Sequence, residues 1–437
     1  MSKYIRIFLL GIIISFISLD SSDSVHSGVL NDIFVPANVR LSNFMVPDAE
    51  FETFDKVVNS FINQWDLSGV SVAVAKNEKL LYTKGFGFAD KENMVPVEPY
   101  NKFRIASVSK LVTAIAIMVL QEKGVLSVND KVFGTEGILN DAYFSDPKDK
   151  RAYGITVGHL LSHQGGWTQR WGDQMFMPLE VSADLGVPLP VSTREIVRFA
   201  LNKNLHFTPG TSKSYSNLGY SILGLVIEKV TGMSYEEYCR INVLEPLGIY
   251  DMMLAKNLYD EKAPLEVTYY EPSDVAYKPS VDGSGIMVPP IYGGNDIEAL
   301  GAAGAWLATA PDLMRLLLAV DGFDNKKDIL SAESIEFMTD NFNGYAPVGW
   351  KTTIVNGTWR RTGSFPGTTC VLERMPDGTS WVVLSNSSAW NGPELYNSIN
   401  SMMSRAISKV AIWPETDLFN YSLPVPLNYN LASKVPQ

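Results

Sequence analysis

The chain contains few of the residues that build metal sites and disulfide scaffolds. Its 437 residues include four histidines and two cysteines, Cys239 and Cys370. Because no His-Glu-x-x-His run and no paired Cys-x-x-Cys motif occurs, the sequence argues against a zinc hydrolase, and we predict neither a metal nor another cofactor. The two cysteines either form one disulfide bond in an exported protein or are two small buried side chains, and we favour the second interpretation.

Positive charge is also scarce. The 36 lysines and arginines are outnumbered by 47 acidic residues, so the formal net charge is −11, and charged residues make up only 19% of the chain. A nucleic-acid-binding protein needs a basic surface, which this sequence does not offer. Since 46% of residues are hydrophobic and 11% are aromatic, a largely disordered chain is excluded as well. We expect a soluble monomer whose partner is a small-molecule or peptide substrate.

The N-terminus has the layout of a secretory signal. Lys3 and Arg6 precede an apolar run over residues 7–19, and small polar residues follow from Asp20. The run is shorter than the roughly 20 residues that a membrane-spanning helix needs. We therefore predict a signal peptide over residues 1–27 and a protein that is exported, either periplasmic or secreted. The alternative is an uncleaved N-terminal membrane anchor.

Strand patterns lie near both ends of the chain, and helical patterns lie between and beside them. Two hairpins are predicted: residues 69–76 with 79–88, and residues 371–375 with 380–384 around Pro376-Asp377-Gly378. Apolar periodicity predicts helices over 50–65, 107–123, 216–230, part of 298–320 and 395–410.

The simplest arrangement of these elements joins the two hairpins in one antiparallel sheet flanked by helices, with a helical insertion domain between them. The fold class is then α/β plus all-α, with an active-site cleft between two lobes. The predicted boundaries are residues 50–105 and 300–412 for a discontinuous sheet lobe, 106–299 for a helical lobe, and 413–437 for a C-terminal tail.

A serine nucleophile is indicated by a tetrapeptide rather than by a nucleophile elbow. The Gly-x-Ser-x-Gly motif is absent, and the nearest segment, residues 69–73, lies inside a predicted strand. Ser-x-x-Lys occurs twice, at Ser107–Lys110 and at Ser145–Lys148. The second copy contains Asp146-Pro147, which is typical of a turn. Ser107 instead opens a long helix, where a lysine one turn away lies beside it and accepts its proton once burial lowers the lysine pKa.

Two further segments carry residues suited to acyl transfer. In Tyr215-Ser216-Asn217, a phenol and an amide flank a serine at the start of a predicted helix; the alternative interpretation is a simple helix N-cap. In Arg361-Thr362-Gly363-Ser364, on or beside a C-terminal strand, the guanidinium is suited to bind a carboxylate. The alternative there is a surface arginine in a turn.

Taken in order, these three motifs resemble those of the serine β-lactamase and penicillin-binding-protein superfamily, and Tyr-x-Asn resembles its class C-related branch. Four further segments of the sequence also resemble this superfamily, at residues 155–166, 209–210, 245–248 and 382–386. The resemblance implies a β-lactamase/transpeptidase-like fold. It implies that Ser107 is the acylated nucleophile, Lys110 its proton acceptor and Tyr215 an acid/base. The implied substrate-binding residues are Asn217, Arg361, Thr362, Gly363 and Ser364.

The resemblance also implies an oxyanion hole made by the backbone N–H groups of Ser107 and Ser364, and a structural role for His163. One departure stands out, because Arg361 occupies the place where the family usually has the lysine of Lys-Thr-Gly. We therefore expect an exported serine hydrolase or acyltransferase that acts on an ester or amide, with a carboxylate-bearing substrate still suitable. The alternatives are a D,D-peptidase or β-lactamase, and a penicillin-recognising sensor that does not turn over.

Overall fold

The computed structural model describes residues 41–420, apart from residues 47, 342–343, 354–356 and 390. The predicted signal peptide, residues 1–27, and the last part of the predicted tail, residues 421–437, lie outside the described residues. Within the described part of the chain, no helix combines the length and apolar character that crossing a membrane requires.

A seven-stranded antiparallel sheet is the largest element of the fold. The described strands of the chain are β1 Gly69–Lys76, β2 Lys79–Asp90, β3 Val95–Pro96, β4 Phe103–Arg104, β5 Met253–Leu254, β6 Lys278–Pro279, β7 Met287–Val288, β8 Trp306–Ala308, β9 Thr352–Thr353, β10 Trp359–Phe365, β11 Thr368–Arg374 and β12 Thr379–Ser385. The order in the large sheet is β3-β2-β1-β12-β11-β10-β9, so the N-terminal and C-terminal hairpins meet where β1 pairs with β12, for example at Val72 and Val383. This confirms the predicted sheet.

Helices cover the sheet. Every residue of β11 and β12 is buried, so both faces of the sheet are covered at these strands. The described α-helices are α1 Asp48–Trp65, α2 Ser109–Glu122, α3 Val157–Leu161, α4 Pro178–Leu185, α5 Thr193–Leu201, α6 Asn217–Thr231, α7 Tyr235–Cys239, α8 Ile297–Leu300, α9 Ala310–Leu318, α10 Ala332–Thr339 and α11 Gly392–Ile407. The terminal helices α1 and α11 pack together, and α9 packs against β1 and β12.

Aromatic side chains attach α1 to the sheet. The rings of Phe51 and Phe54 lie 4.7 Å and 4.5 Å from the ring of Tyr82 in β2, measured between centroids. The first residues of the predicted tail pack on the same region, because the Trp413 ring lies 5.8 Å from Phe51 and the Asp417 carboxylate accepts a hydrogen bond from the Leu80 N–H.

The middle of the chain is mainly helical but also contains short strands. Segment 298–320, in part of which the sequence predicted a helix, also holds strand β8 between helices α8 and α9. Strand β8 lies between β4 and β5 in a three-stranded sheet, and its three residues are too few for a periodic sequence signal. Cys239 and Cys370 are both free and buried, which confirms the favoured interpretation of the two cysteines.

Candidate active site

Ser107 lies in a tight turn at the start of α2. The predicted helix begins here as a 3₁₀ turn over Ala106–Val108, and the α-helix itself starts at Ser109. Ala106 has a φ of +47°, a left-handed conformation that costs free energy for a residue with a side chain. Strain of this kind is stored where the fold must hold a reactive group in one orientation, and here it precedes the predicted nucleophile.

Lys110 lies one helical turn beyond Ser107 and is completely buried. Its Nζ donates hydrogen bonds to Asn217 Oδ1 at 2.7 Å, to the Ala303 carbonyl at 2.6 Å and to Ser107 Oγ at 3.4 Å. The pKa of Lys110 is lowered to about 8, mainly by burial; Tyr215 opposes this effect, and the nearby Arg361 guanidinium adds to it. The lysine therefore exchanges a proton near neutral pH, which an exposed lysine does not.

Tyr215 contacts Ser107 directly from the segment before α6. Its hydroxyl donates a hydrogen bond to Ser107 Oγ at 2.6 Å, and Lys110 Nζ lies 4.9 Å from the centroid of its ring. Burial alone would raise the pKa of this phenol, but the Lys110 and Arg361 cations outweigh burial and bring the pKa to about 8. Two groups that titrate near pH 8 thus lie on the same serine oxygen.

Asn217 is the first residue of α6, and Ser216 caps that helix by accepting a hydrogen bond from the Gly219 N–H at 3.1 Å. The N-cap interpretation of this segment is therefore correct, while the residues on either side of Ser216 contact Lys110 or Ser107. The Asn217 amide is oriented from both ends, since Oδ1 accepts from Lys110 and Nδ2 donates to Asp173 Oδ2 at 2.7 Å.

Asp173 is a site residue that sequence reasoning missed. It belongs to an irregular segment, where its carboxylate also accepts hydrogen bonds from Gln169 Nε2 at 2.8 Å and from the Met175 N–H at 3.1 Å. No motif surrounds it in the sequence. Only the fold brings it to Asn217, which is 44 residues further along the chain.

The third motif lies on β10, against the Ser107 turn. A Cβ atom on Gly363 would stand 3.0 Å from the Ser107 nitrogen and still closer to the Ile105 carbonyl oxygen, so only glycine fits there. Thr362 is buried, whereas Ser364 is exposed. Among the described strands, β9 pairs with β10 only at Trp359 and Arg360, so it does not pair with Ser364. Ser364 follows Gly363, which borders the Ser107 nitrogen, and its backbone is therefore on the strand that the predicted oxyanion hole requires.

Arg361 is buried, with 2% of its surface exposed, so the alternative of a surface arginine in a turn is wrong. Its Nε donates a hydrogen bond to the Ser107 carbonyl oxygen at 2.8 Å. Its Nη2 is buried and has no hydrogen-bond partner among the described residues. One side of the guanidinium therefore anchors the nucleophile turn, and the donor at Nη2 stays unused.

A cleft of about 480 Å³ opens over these residues. Its lining includes six residues that the sequence analysis selected: Ser107, Tyr215, Arg361, Thr362, Gly363 and Ser364. It also includes residues that the sequence analysis did not select, among them Lys213, Trp350, Lys351 and Tyr396. None of its described lining residues is acidic. Lys213 Nζ donates to the Ala346 carbonyl at 2.7 Å, and Lys351 Nζ lies 5.3 Å from the Tyr396 ring centroid. In a chain with a net charge of −11, this cleft is a concentration of positive charge.

His163 also lines the cleft. Its Nδ1 accepts a hydrogen bond from the Ser216 N–H at 3.2 Å, and its ring lies 4.7 Å from the Tyr215 ring. Burial and the neighbouring cations Lys110 and Arg361 hold its pKa well below the ordinary value. A neutral ring that supports the Tyr215 backbone and side chain is consistent with the structural role implied for it.

Comparison with known proteins identifies the fold. Residues 54–401 match the beta-lactamase family. Penicillin-binding protein 4* of Bacillus subtilis (strain 168) is 30% identical over 200 residues, which are 44% of this chain and 40% of that protein. The chain spans less than half of the length of the curated relatives it matches.

Two solved structures are similar over most of the chain. The octameric penicillin-binding protein homologue from Pyrococcus abyssi is 26% identical with a TM-score of 0.59, covering 82% of this chain and 77% of its own. EstCE1, described as a hydrolase with promiscuous acyltransferase activity, is 20% identical with a TM-score of 0.61, covering 81% and 98%. Because the family match extends over most of the chain and the described fold is similar to both structures, the chain belongs to the beta-lactamase family.

Proposed function

We propose that this protein is an exported enzyme, related to the class C branch of its family, that cleaves an ester or amide through an acyl-Ser107 intermediate. The observation that carries the proposal is the position of Ser107 Oγ, 2.6 Å from the Tyr215 hydroxyl and 3.4 Å from Lys110 Nζ, at the floor of an open cleft. Both neighbours have a pKa of about 8, so one of them is ready to accept the serine proton near that pH.

Acylation begins when Ser107 Oγ attacks the substrate carbonyl carbon and its proton passes to the Lys110–Tyr215 pair. The negative charge that develops on the carbonyl oxygen is stabilised by the backbone N–H groups of Ser107 and Ser364. The bond to the leaving group then breaks, and the pair returns the proton to the leaving alcohol or amine. Asn217 and the Ala303 carbonyl hold Lys110 at the position from which this transfer is possible.

Deacylation repeats these steps with another nucleophile. A water molecule attacks the acyl carbon and gives a proton to the Lys110–Tyr215 pair, and Ser107 Oγ recovers a proton as the acyl group leaves as an acid. An alcohol or amine in the place of water gives acyl transfer instead. EstCE1 is described as a hydrolase with acyltransferase activity, which supports keeping both outcomes for this fold.

The charge of the cleft favours a substrate with an anionic group. Arg361 Nη2 is buried and unpartnered among the described residues, and Lys351 lines the same cleft. These observations support the second candidate function, a D,D-peptidase or β-lactamase, whose substrates carry a carboxylate. Because Arg361 Nε is bound to the Ser107 carbonyl, that carboxylate would bind the remaining N–H groups of the guanidinium, Nη2 among them. A penicillin-recognising sensor without turnover has no such support, since every predicted catalytic side chain is in contact with Ser107.

Intact-protein mass spectrometry on the mature chain tests the proposal. The protein is incubated with short activated acyl esters and, separately, with a penicillin, and the site of any adduct is mapped to a peptide. Rapid ester turnover with a transient adduct on Ser107 supports the hydrolase, and a persistent penicillin adduct supports the peptidase-like alternative. An adduct that maps elsewhere, or no adduct and no turnover, contradicts the proposal. The start of the mature chain also tests export, which predicts removal of residues 1–27.

A further inference from the structure

A second cleft, of about 530 Å³, adjoins the active-site cleft at Ser364, which lines both. Its walls are mainly apolar. The rings of Phe176 and Phe365 lie 6.3 Å apart, and Pro272, Val275 and Pro290 are among the other apolar residues of the lining. Because Ser364, the predicted oxyanion-hole residue, lines both clefts, a molecule whose reacting carbonyl is at Ser107 can extend into this space.

Glu271 is the one acidic residue among the described residues that line this second cleft. Its Oε2 is buried and accepts no hydrogen bond from any described residue. Burial raises the pKa of this carboxyl group. A buried carboxylate oxygen without a donor is unfavourable, and it is relieved most effectively by a cationic N–H group that enters the same space.

The lysine that lines the second cleft, Lys278, does not supply that donor. Its Nζ donates a hydrogen bond to Asn295 Oδ1 at 3.2 Å. Asn295 is itself buried and fixed, since its Nδ2 donates to the Pro290 carbonyl at 3.0 Å. Lys278 is therefore held on the asparagine. Its charge lowers the pKa of Glu271 against the effect of burial, but it gives Oε2 no hydrogen bond.

We propose that the second cleft is a subsite for a primary ammonium group attached to an apolar substituent, with Glu271 as its acceptor. This inference rests on the proposed function, because the amine would be carried either by the acyl donor that Ser107 attacks or by the acceptor that releases the acyl group. The active-site cleft is lined by the cations Lys213, Lys351 and Arg361 and by no described acid, whereas the second cleft is lined by one acid and one cation. An ammonium group is therefore repelled less strongly in the second cleft.

The test compares amine and neutral probes on the full chain and on Glu271→Gln. In the donor experiment, the p-nitroanilide or thioester of phenylalanine with a free amino group is compared with its N-acetylated form. In the acceptor experiment, phenylalaninol and 3-phenylpropan-1-ol compete for the acyl-enzyme made from a neutral ester; in both the hydroxyl attacks the acyl carbon, and only phenylalaninol carries an ammonium group. Glu333→Gln is the matched control, since Glu333 is exposed and lines neither cleft.

If the inference is correct, Glu271→Gln lowers kcat/KM for the free amine in one of the two experiments about tenfold or more, the size expected for a lost charge-assisted contact, and leaves the neutral probe within about twofold. The experiment that responds identifies whether donor or acceptor carries the amine. Equal effects on amine and neutral probes, or none on either, overturn the subsite alone. Failure of every ester to acylate Ser107 overturns the proposed function and the subsite with it.

Discussion

The same tetrapeptide occupies two environments in this protein. In the copy at Ser107–Lys110, the lysine is completely buried and its Nζ lies 3.4 Å from the serine oxygen. In the copy at Ser145–Lys148, both residues are exposed, and Ser145 Oγ donates to the Ala142 carbonyl at 3.0 Å within its own turn. Equal spacing in the sequence therefore produces a buried, hydrogen-bonded pair in one place and a surface turn in the other.

The difference shows that Ser-x-x-Lys spacing brings the serine and lysine side chains together only when a helix follows. The surroundings of the two side chains are made by segments that are distant in the sequence. At the first copy, α2 brings residues 107 and 110 to one side, and distant segments provide Tyr215, Asn217 and Arg361. Burial by those segments lowers the Lys110 pKa to about 8. At the second copy, Asp146 pairs with Lys150 on the surface, and the tetrapeptide stays in solvent.

The largest effect is expected from the two serines. Ser107→Ala removes the oxygen that forms the acyl bond, so we expect turnover to fall by about 10³-fold or more and acylation to be lost, whereas Ser145→Ala leaves both unchanged. Steady-state rates and intact mass with an activated ester measure this. Equal losses in both variants would show that the two copies are not distinguished by their environment.

The two lysines should differ nearly as much. Lys110→Met removes a proton acceptor, and we expect kcat/KM to fall by about 10²- to 10⁴-fold, while Lys148→Met stays near the wild type. Because Lys110 is buried and hydrogen-bonded to Asn217 and Ala303, thermal unfolding is recorded in parallel. A folded Lys110→Met variant with undiminished activity would remove the lysine from the mechanism.

A smaller effect is expected from two aspartates, Asp173, which is linked to Lys110 through Asn217, and Asp146, which lies within the second tetrapeptide. Asp173→Asn weakens the acceptor that orients the Asn217 amide, so we expect about a tenfold loss of kcat/KM and a displaced pH profile. Asp146→Asn breaks only an exposed pair with Lys150 and is the control. Enzyme assays across pH distinguish the two, and identical behaviour of the variants would show that Asp173 does not position Asn217.

The smallest effect concerns pH. Activity should rise with pH through about 8 as the Lys110–Tyr215 pair loses a proton. The Arg361 cation lowers the pKa of both groups, so Arg361→Gln should move the rising part of the profile to higher pH. It should also raise KM more for carboxylate-bearing esters than for neutral ones. An unchanged profile would mean that Arg361 does not tune the pair; equal KM effects would remove it from carboxylate binding.

Much of the fold followed from local pattern. Pro376-Asp377-Gly378 predicts a tight turn, and Gly378 indeed adopts a φ of +79° between β11 and β12. Strand β8 escaped prediction because three residues carry no periodicity. Asp173 escaped because its partner is distant in the sequence, and no local rule places a carboxylate of an irregular segment beside Asn217.

The sequence by itself determined the order of the three motifs, the hairpins and helices that carry them, and through these the family. Only the tertiary structure decided that Lys110 is fully buried, that Arg361 Nε binds the Ser107 carbonyl, that Asp173 holds the Asn217 amide, and that Glu271 lines the second cleft. The physical reason is the range of the forces. Turn and helix preferences act between near neighbours, whereas desolvation and charge depend on which distant segments exclude water from a side chain.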